Sequence, residues 1–486
     1  MNFNSLLFLI YLPIVLLVYW LLPQKAKWAF LLVASYFFYA FQNYWLILLI
    51  LSTTLVSYLC SLGISKTEKT WAKRFLLGVA LTFMLGMLFV FKYLDFAVSS
   101  VVSLSRLFGA KTEFHPFRLI LPVGISFYTF QTLSYVIDVY KGKYPAEKHF
   151  GYYALFVSFF PQLVAGPIER PQDLIPQLKA ERHLSSDDFS IGLQYVVCGF
   201  VKKIVIADFL GAYVAPTYGT YMQASGFALL LATVFFAIQI YGDFSGYSDI
   251  AIGVARWMGI KLTKNFDHPY LATSVRDFYR RWHITLNIWL TDYVYIPLGG
   301  SHKGKARHLL NVLIVFLVSG LWHGANWNFV VWGLLNGLII CAEILLSRRF
   351  ETWKNATPKR SKAVSVISVP ITFLLVCATW IFFRSPDVMT AFRIYGRVFT
   401  SFVSGSGLEA FRRADFLLRV FAALGLFVLL PYLPRLSLET DENGNVDGKR
   451  LTVTSFVYVV LILLIGFAWM EQLKTTGESG FIYFQF

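Results

Sequence analysis

Charge is scarce in this chain of 486 residues. Only 14% of positions are Asp, Glu, Lys or Arg, and acids are the rarer sign, 27 against 43 basic residues. So little charge excludes an ordinary soluble domain. With 57% hydrophobic residues and a mean hydropathy of +0.60 it describes an all-α polytopic membrane protein. Cysteine is also sparse. Cys60, Cys198, Cys341 and Cys377 stand alone in apolar stretches, without C-x-x-C spacing or clustered histidines, which excludes a disulfide framework and predicts no metal site. No internal repeat is visible, so a transporter built of inverted halves has no support. The net charge of +16 would suit a nucleic-acid partner, but the basic residues lie in short loops between apolar runs, as the positive-inside bias requires. Nucleic acid is therefore excluded, and membrane lipids are the expected surroundings. One membrane domain over residues 1–486 is the economical reading.

The most informative stretch is Leu309 to Ala342, 34 residues without one Asp, Glu, Lys or Arg. A straight helix of that length would reach ~51 Å against a hydrocarbon core of ~30 Å, so the stretch should break inside the membrane. Ser319 to Asn326 is the natural place: two glycines loosen the backbone, and Ser319, His323 and Asn326 can bond the groups that a broken ladder frees. That puts the imidazole of His323 at depth. One reading is a neutral structural histidine on a backbone carbonyl. The other is a reaction centre, because ionisable groups within spans are rare and mark pathways or chemistry.

In chain order, Ser5 to Leu22 lacks a basic n-region and a cleavage signature and reads as a retained first helix rather than a signal peptide. Trp28 to Leu62 is uncharged, with Gln42-Asn43 as the break between two helices, and Gly78 to Phe91 crosses back. Leu119 to Val139 reads as an irregular helix, Tyr152 to Gly166 as a re-entrant segment, and Glu169 to Asp188 as interfacial. Gly211 to Gly226 is expected as a polar, uncharged outer loop. From Asp243 the chain is expected to leave the membrane into a long basic region with Arg256, Lys261, Lys264, Arg276, Arg280 and Arg281, cytoplasmic by its charge. Such a cationic funnel suits a phosphate-bearing cytosolic ligand; its bland alternative is topology bias with anionic lipid head groups. His283, opening an apolar run to Leu298, is by itself an interfacial structural histidine. Further spans are expected over Ala363 to Phe383, Phe416 to Leu433 and Leu451 to Trp469.

Five segments together resemble the membrane-bound O-acyltransferase family, in particular its bacterial alginate and peptidoglycan O-acetyltransferase membrane subunits. They are Arg280-Arg281-Trp282-His283, Leu298-Gly299-Gly300, Leu321-Trp322-His323-Gly324-Ala325-Asn326, Asp243-Phe244-Ser245-Gly246-Tyr247-Ser248-Asp249 and Leu121-Pro122-Val123-Gly124-Ile125-Ser126-Phe127-Tyr128. The resemblance implies a ring of tilted helices with re-entrant segments and a central cavity, a catalytic core over about 119–347, donor entry from the cytosol and acceptor entry from the other face. It places the family's essential histidine on His323 and its companion on His283. A neutral imidazole near its ordinary pKa of ~6.5 suits the proton transfer when a hydroxyl attacks a thioester. His283, beside Arg280 and Arg281, is expected to position the donor or to bond the developing oxyanion. Arg280, Arg281, Trp282 and Asn326 form the expected donor-binding set.

The function expected is transfer of acetyl from cytosolic acetyl-CoA, with no bound cofactor, across a bacterial inner membrane for O-acetylation of an exported polysaccharide. A periplasmic or surface SGNH-hydrolase-like acetyltransferase is the expected partner. The alternatives are D-alanyl transfer from a carrier protein to teichoic acid and a non-enzymatic lipid or polysaccharide flippase. One more stretch stands out. Residues 480–486, Gly-Phe-Ile-Tyr-Phe-Gln-Phe, are uncharged and aromatic after a polar linker. They read either as an interfacial anchor or, by resemblance to the C-terminal motif of the small partner in D-alanylation systems, as an acyl relay through Tyr483.

Overall fold

The computed structural model describes residues 1–41, 43–109, 111, 113–117, 119–354, 357–433, 448–475 and 480–481. Among them the only extended pairing is an isolated bridge between Ala224 and Ser406, and nine helices are long and apolar enough to cross a membrane. The chain divides into two compact units, residues 1–192 with 251–263 and residues 193–250 with 264–486.

In the first unit the helix Leu6–Leu21 starts on Ser5, whose hydroxyl accepts from the Phe8 amide at 3.2 Å. Helices Gln24–Ala40 and Leu46–Lys66 flank the break expected near Asn43. The expected crossing from Gly78 is longer than charge alone allowed: the helix runs over Thr70–Leu107. A π-helical turn at Phe89–Tyr93 carries Lys92 within it, and Lys92 donates to Ser126 at 3.2 Å, so the charge does not end the helix. The re-entrant expectation corresponds to a short helix, Phe150–Ser158, followed by turns to Gly166, nearly all buried. Tyr153 on it hydrogen-bonds Ser57 at 2.6 Å and packs on Tyr135 with ring centroids 4.4 Å apart.

The second unit contains two further departures. Gly211 to Gly219, expected in a loop, is helical, and only residues 220–225 turn. The reason is that its polar side chains find partners inside the fold: Tyr213 donates to the Gly407 carbonyl at 2.8 Å, Thr217 to the Tyr213 carbonyl at 2.7 Å, and the Tyr218 hydroxyl meets Thr233 at 2.8 Å. Likewise Asp243 and Asp249 do not mark an exit from the membrane but lie within the continuous helix Gly226–Trp257. Each is neutralised by a lysine from the helix Ser186–Gly219, Asp243 by Lys203 at 2.8 Å and Asp249 by Lys202 at 2.6 Å.

The uncharged stretch from Leu309 does break. The helix Lys305–His323 is followed by Trp327–Lys354, and the two pack as a close antiparallel pair. A Cβ on Gly320 would fall on the Phe329 carbonyl oxygen, and one on Gly333 on the Phe316 carbonyl oxygen, so glycine is required on both faces of the contact. The helix Pro358–Arg384 completes this part of the unit, and a helix absent from the sequence reading, Val388–Thr400, follows it, capped by Asp387 on the Thr390 amide at 2.8 Å.

Candidate active site

The break leaves His323 as the last residue of its helix and Gly324, Ala325 and Asn326 between the two helices. Asn326 serves the break itself. Its carbonyl accepts from the Phe329 amide at 3.2 Å, and its side-chain amide donates to the Pro386 carbonyl at 2.9 Å. Asn328 donates to the carbonyls of Phe382 at 3.2 Å and Ser385 at 2.7 Å. The turn after His323 is thus tied to the end of the Pro358–Arg384 helix, and Phe383 from that end packs against the imidazole at 5.4 Å between ring centroids. Trp322 at 5.0 Å and Trp332, perpendicular at 5.2 Å, supply two more aromatic neighbours, and His323 is left 7% exposed. Trp332 is fully buried, and its indole N–H has no hydrogen-bond partner among the described residues.

His283 arrives from another segment. It opens the short helix Ile284–Leu290 with φ 47 and ψ 54, one of two non-glycine residues in the left-handed region among those described. A histidine there is a strained choice that the surroundings must enforce. Asn265 does so: its carbonyl accepts from the Ile284 amide at 2.9 Å, and its side-chain oxygen takes the Thr285 amide at 3.2 Å, the Thr285 hydroxyl at 3.0 Å and His283 Nδ1 at 3.2 Å. The Thr285 amide can only donate, which fixes the Asn265 atom as oxygen and makes Nδ1 the protonated nitrogen of a neutral His283. The lone pair is on Nε2. His283 lies outside the nine apolar spans, and burial, reinforced by His323, holds its imidazole well below the ordinary value. Phe244 at 4.8 Å and Trp322 at 5.6 Å flank the ring. Trp322 therefore touches both histidines, and the two motifs read separately in the sequence converge on one place.

The expected donor set is dispersed. Arg280 is exposed; Arg281 is partly buried, its guanidinium on Asp277 at 3.0 Å. Trp282 is enclosed by Phe266, Phe278 and Trp380, at 5.1, 5.4 and 5.3 Å, and acts as core. Asn326 is spent on the helix break. Asn265 and Trp332 escaped the sequence reading, because nothing in their spacing links them to either histidine, and Phe244 entered it only as part of the segment 243–249, without a site role. Tyr483 lies outside the described residues. Among the described residues no group of three or more His, Cys, Asp or Glu is arranged to hold a metal ion.

Among the described residues nine helices are long and apolar enough to span a membrane, and two buried histidines meet over a tryptophan. Residues 145–383 match the model of the membrane-bound O-acyltransferase family. The chain is 36% identical, over the whole of both sequences, to the probable alginate O-acetylase of Pseudomonas putida. It is 39% identical to that of Pseudomonas aeruginosa, over 82% of this chain and 75% of the relative. It is 32% identical to the peptidoglycan O-acetyltransferase of Helicobacter pylori, over 100% of this chain and 97% of the relative. Fold and comparisons together define an integral-membrane acyltransferase. The chain belongs to the membrane-bound O-acyltransferase family.

Proposed function

We propose that the chain takes acetyl from cytosolic acetyl-CoA and passes it, across the inner membrane of a bacterium, to a hydroxyl presented from the other face, for O-acetylation of an exported polysaccharide such as alginate or peptidoglycan. The observation that carries this reading is the meeting of His283 and His323 over Trp322 in a buried aromatic setting. In the reaction the acceptor oxygen forms a bond to the thioester carbonyl carbon while His323 takes the hydroxyl proton. The C–S bond then breaks, and the departing thiolate receives that proton. The buried indole N–H of Trp332, beside His323 and without a partner among the described residues, supports its role as donor to the transient oxyanion. His283, neutral with its proton on Nδ1, offers an acceptor at Nε2. That favours orienting the donor or the attacking hydroxyl over oxyanion binding. Arg280, exposed where Arg281 is held by Asp277, is the better placed of the two for the phosphates of the donor. Full-length likeness to O-acetylases favours acetyl over D-alanyl transfer.

The acceptor hydroxyl in this reading is the phenol of Tyr483, acetylated in the interior and then discharged to an exported SGNH-hydrolase-like partner. The support is the placement of the residues just before it: Phe481 is 1% exposed, packed on Tyr247 at 5.1 Å. The test is glycan acetylation in cells carrying His323→Ala or Tyr483→Phe at equal membrane levels. Loss of ~100-fold or more is expected for the first, the usual scale for a general base, and comparable loss for the second, which removes only a hydroxyl. Near-normal acetylation by His323→Ala would defeat the function, and by Tyr483→Phe the relay alone.

A further inference from the structure

The mechanism above leaves one buried charged cluster unexplained. Lys203 is 1% exposed and sits in the π-helical turn Val201–Asp208 that interrupts the helix Ser186–Gly219. Such turns are local insertions that persist where a side chain must be re-aimed. An ammonium has three N–H donors, and Lys203 gives them to three oxygens: Asp208 Oδ1 at 2.8 Å, Asp243 Oδ1 at 2.8 Å and the carbonyl of Gly480 at 2.9 Å. Two of the acceptors are carboxylates, Asp208 of the same π turn and Asp243 of the helix Gly226–Trp257. The third belongs to the C-terminal segment. Phe481, the next residue, lays its ring 4.6 Å from the same ammonium and edge-on to Tyr247 at 5.1 Å. The helix that leads to this segment is fastened to the same cluster, because Gln472 donates to the other oxygen of Asp208 at 3.2 Å.

A structural ion pair would need only one acid for one lysine. Here the second acid and the π turn aim the ammonium so that its last donor and its cation face the tail. The arrangement fixes a backbone carbonyl and an aromatic ring, and so specifies the path of the segment rather than its net charge. We propose that Lys203, held by Asp208 and Asp243, is the receptor for this chain's own C-terminal segment, a positioning site that fixes Gly480 and Phe481 within the unit that holds His283 and His323. The functional consequence rests on the relay reading through Tyr483; the docking itself does not.

The test uses the full-length protein in lipid nanodiscs, in wild-type form and as Lys203→Met, Lys203→Arg and Phe481→Ala. The last leaves the charged cluster intact and covers the case in which loss of Lys203 impairs folding. Hydrogen–deuterium exchange of the peptide spanning residues 476–486 reads docking without reference to activity. The expected result is slow exchange in the wild type, at least tenfold faster exchange in Lys203→Met and Phe481→Ala, and partial protection in Lys203→Arg, which keeps the cation. Acetyl transfer should fall with protection across the four proteins, while the apparent KM for acetyl-CoA stays at the wild-type value. Unchanged exchange in Phe481→Ala and in a folded Lys203→Met would overturn the receptor. Fast exchange with undiminished transfer would overturn its positioning role. Faster exchange in a protein that proves not to be an acetyltransferase would leave the docking standing and remove only the relay.

Discussion

At the residue scale the proposed chemistry turns on how two imidazoles are held. His283 is kept in the left-handed region by Asn265, which binds its own ring nitrogen and the two residues after it, so tautomer and backbone are set by one side chain. Its lowered pKa has a measurable consequence. An unfolded histidine titrates near ~6.5, while folded His283 stays neutral well below that, so the unfolded state binds the extra proton and stability falls as pH drops through ~6.5. Part of the stability lost as pH falls from 7 toward 5 should therefore come from this group. His283→Gln should lack that share of the decline, read as a smaller pH-dependent drop in unfolding temperature of the purified protein; parallel curves for the two proteins would refute the buried neutral state. His323 was legible in the sequence because it is the one histidine in a long uncharged run. His283 was legible only through family resemblance, since a histidine at the mouth of an apolar run has no distinguishing pattern. Asn265 was not legible at all: its role depends on a contact with a residue 18 positions on, beyond a 3-10 turn and a short helix.

At the scale of elements, the helix pair around His323 depends on backbone approach. Gly320 and Gly333 face each other's helix where a Cβ would strike a carbonyl oxygen, whereas Gly78 has open space where its Cβ would stand. Gly320→Ala should therefore force the pair apart at a cost of about 1–3 kcal/mol and lower activity by displacing His323, while Gly78→Ala should leave the melting temperature and activity at or above wild type. Equal melting temperatures for both variants would contradict the close contact. The break itself could be foretold from an uncharged run of 34 residues, longer than the hydrocarbon core is thick, with glycines near its middle to mark the place. Elements with charged or polar residues at depth were the ones misjudged. Lys92, Asp243 and Asp249 looked like helix ends, and Gly211 to Gly219 like a loop, because a sequence displays a polar group but not the distant partner that satisfies it. The Val388–Thr400 helix was missed for a related reason, since its amphipathic pattern is too polar for a span and has no neighbour in the sequence to declare its apolar face.

At the scale of the whole molecule, scarcity of charge sufficed to announce a multi-pass membrane protein, and nine apolar helices bear that out among the described residues. What composition could not announce is that several of the few charges lie inside: Lys202, Lys203, Asp243 and Asp249 are buried or nearly so and paired. Opposite signs in two separate apolar runs, lysines at 202 and 203 and aspartates at 243 and 249, are the signal that would have shown it. The central claim is vectorial transfer through His323. Its most direct test is sealed proteoliposomes containing the purified chain in one orientation, with labelled acetyl-CoA, the proposed donor, supplied only at the face proposed as cytosolic and the proposed SGNH-hydrolase-like partner enclosed at the other. Label should appear on the enclosed partner with the wild-type chain and stay at the background of empty liposomes with His323→Ala. Equal labelling by the two proteins would contradict a reaction centred on His323.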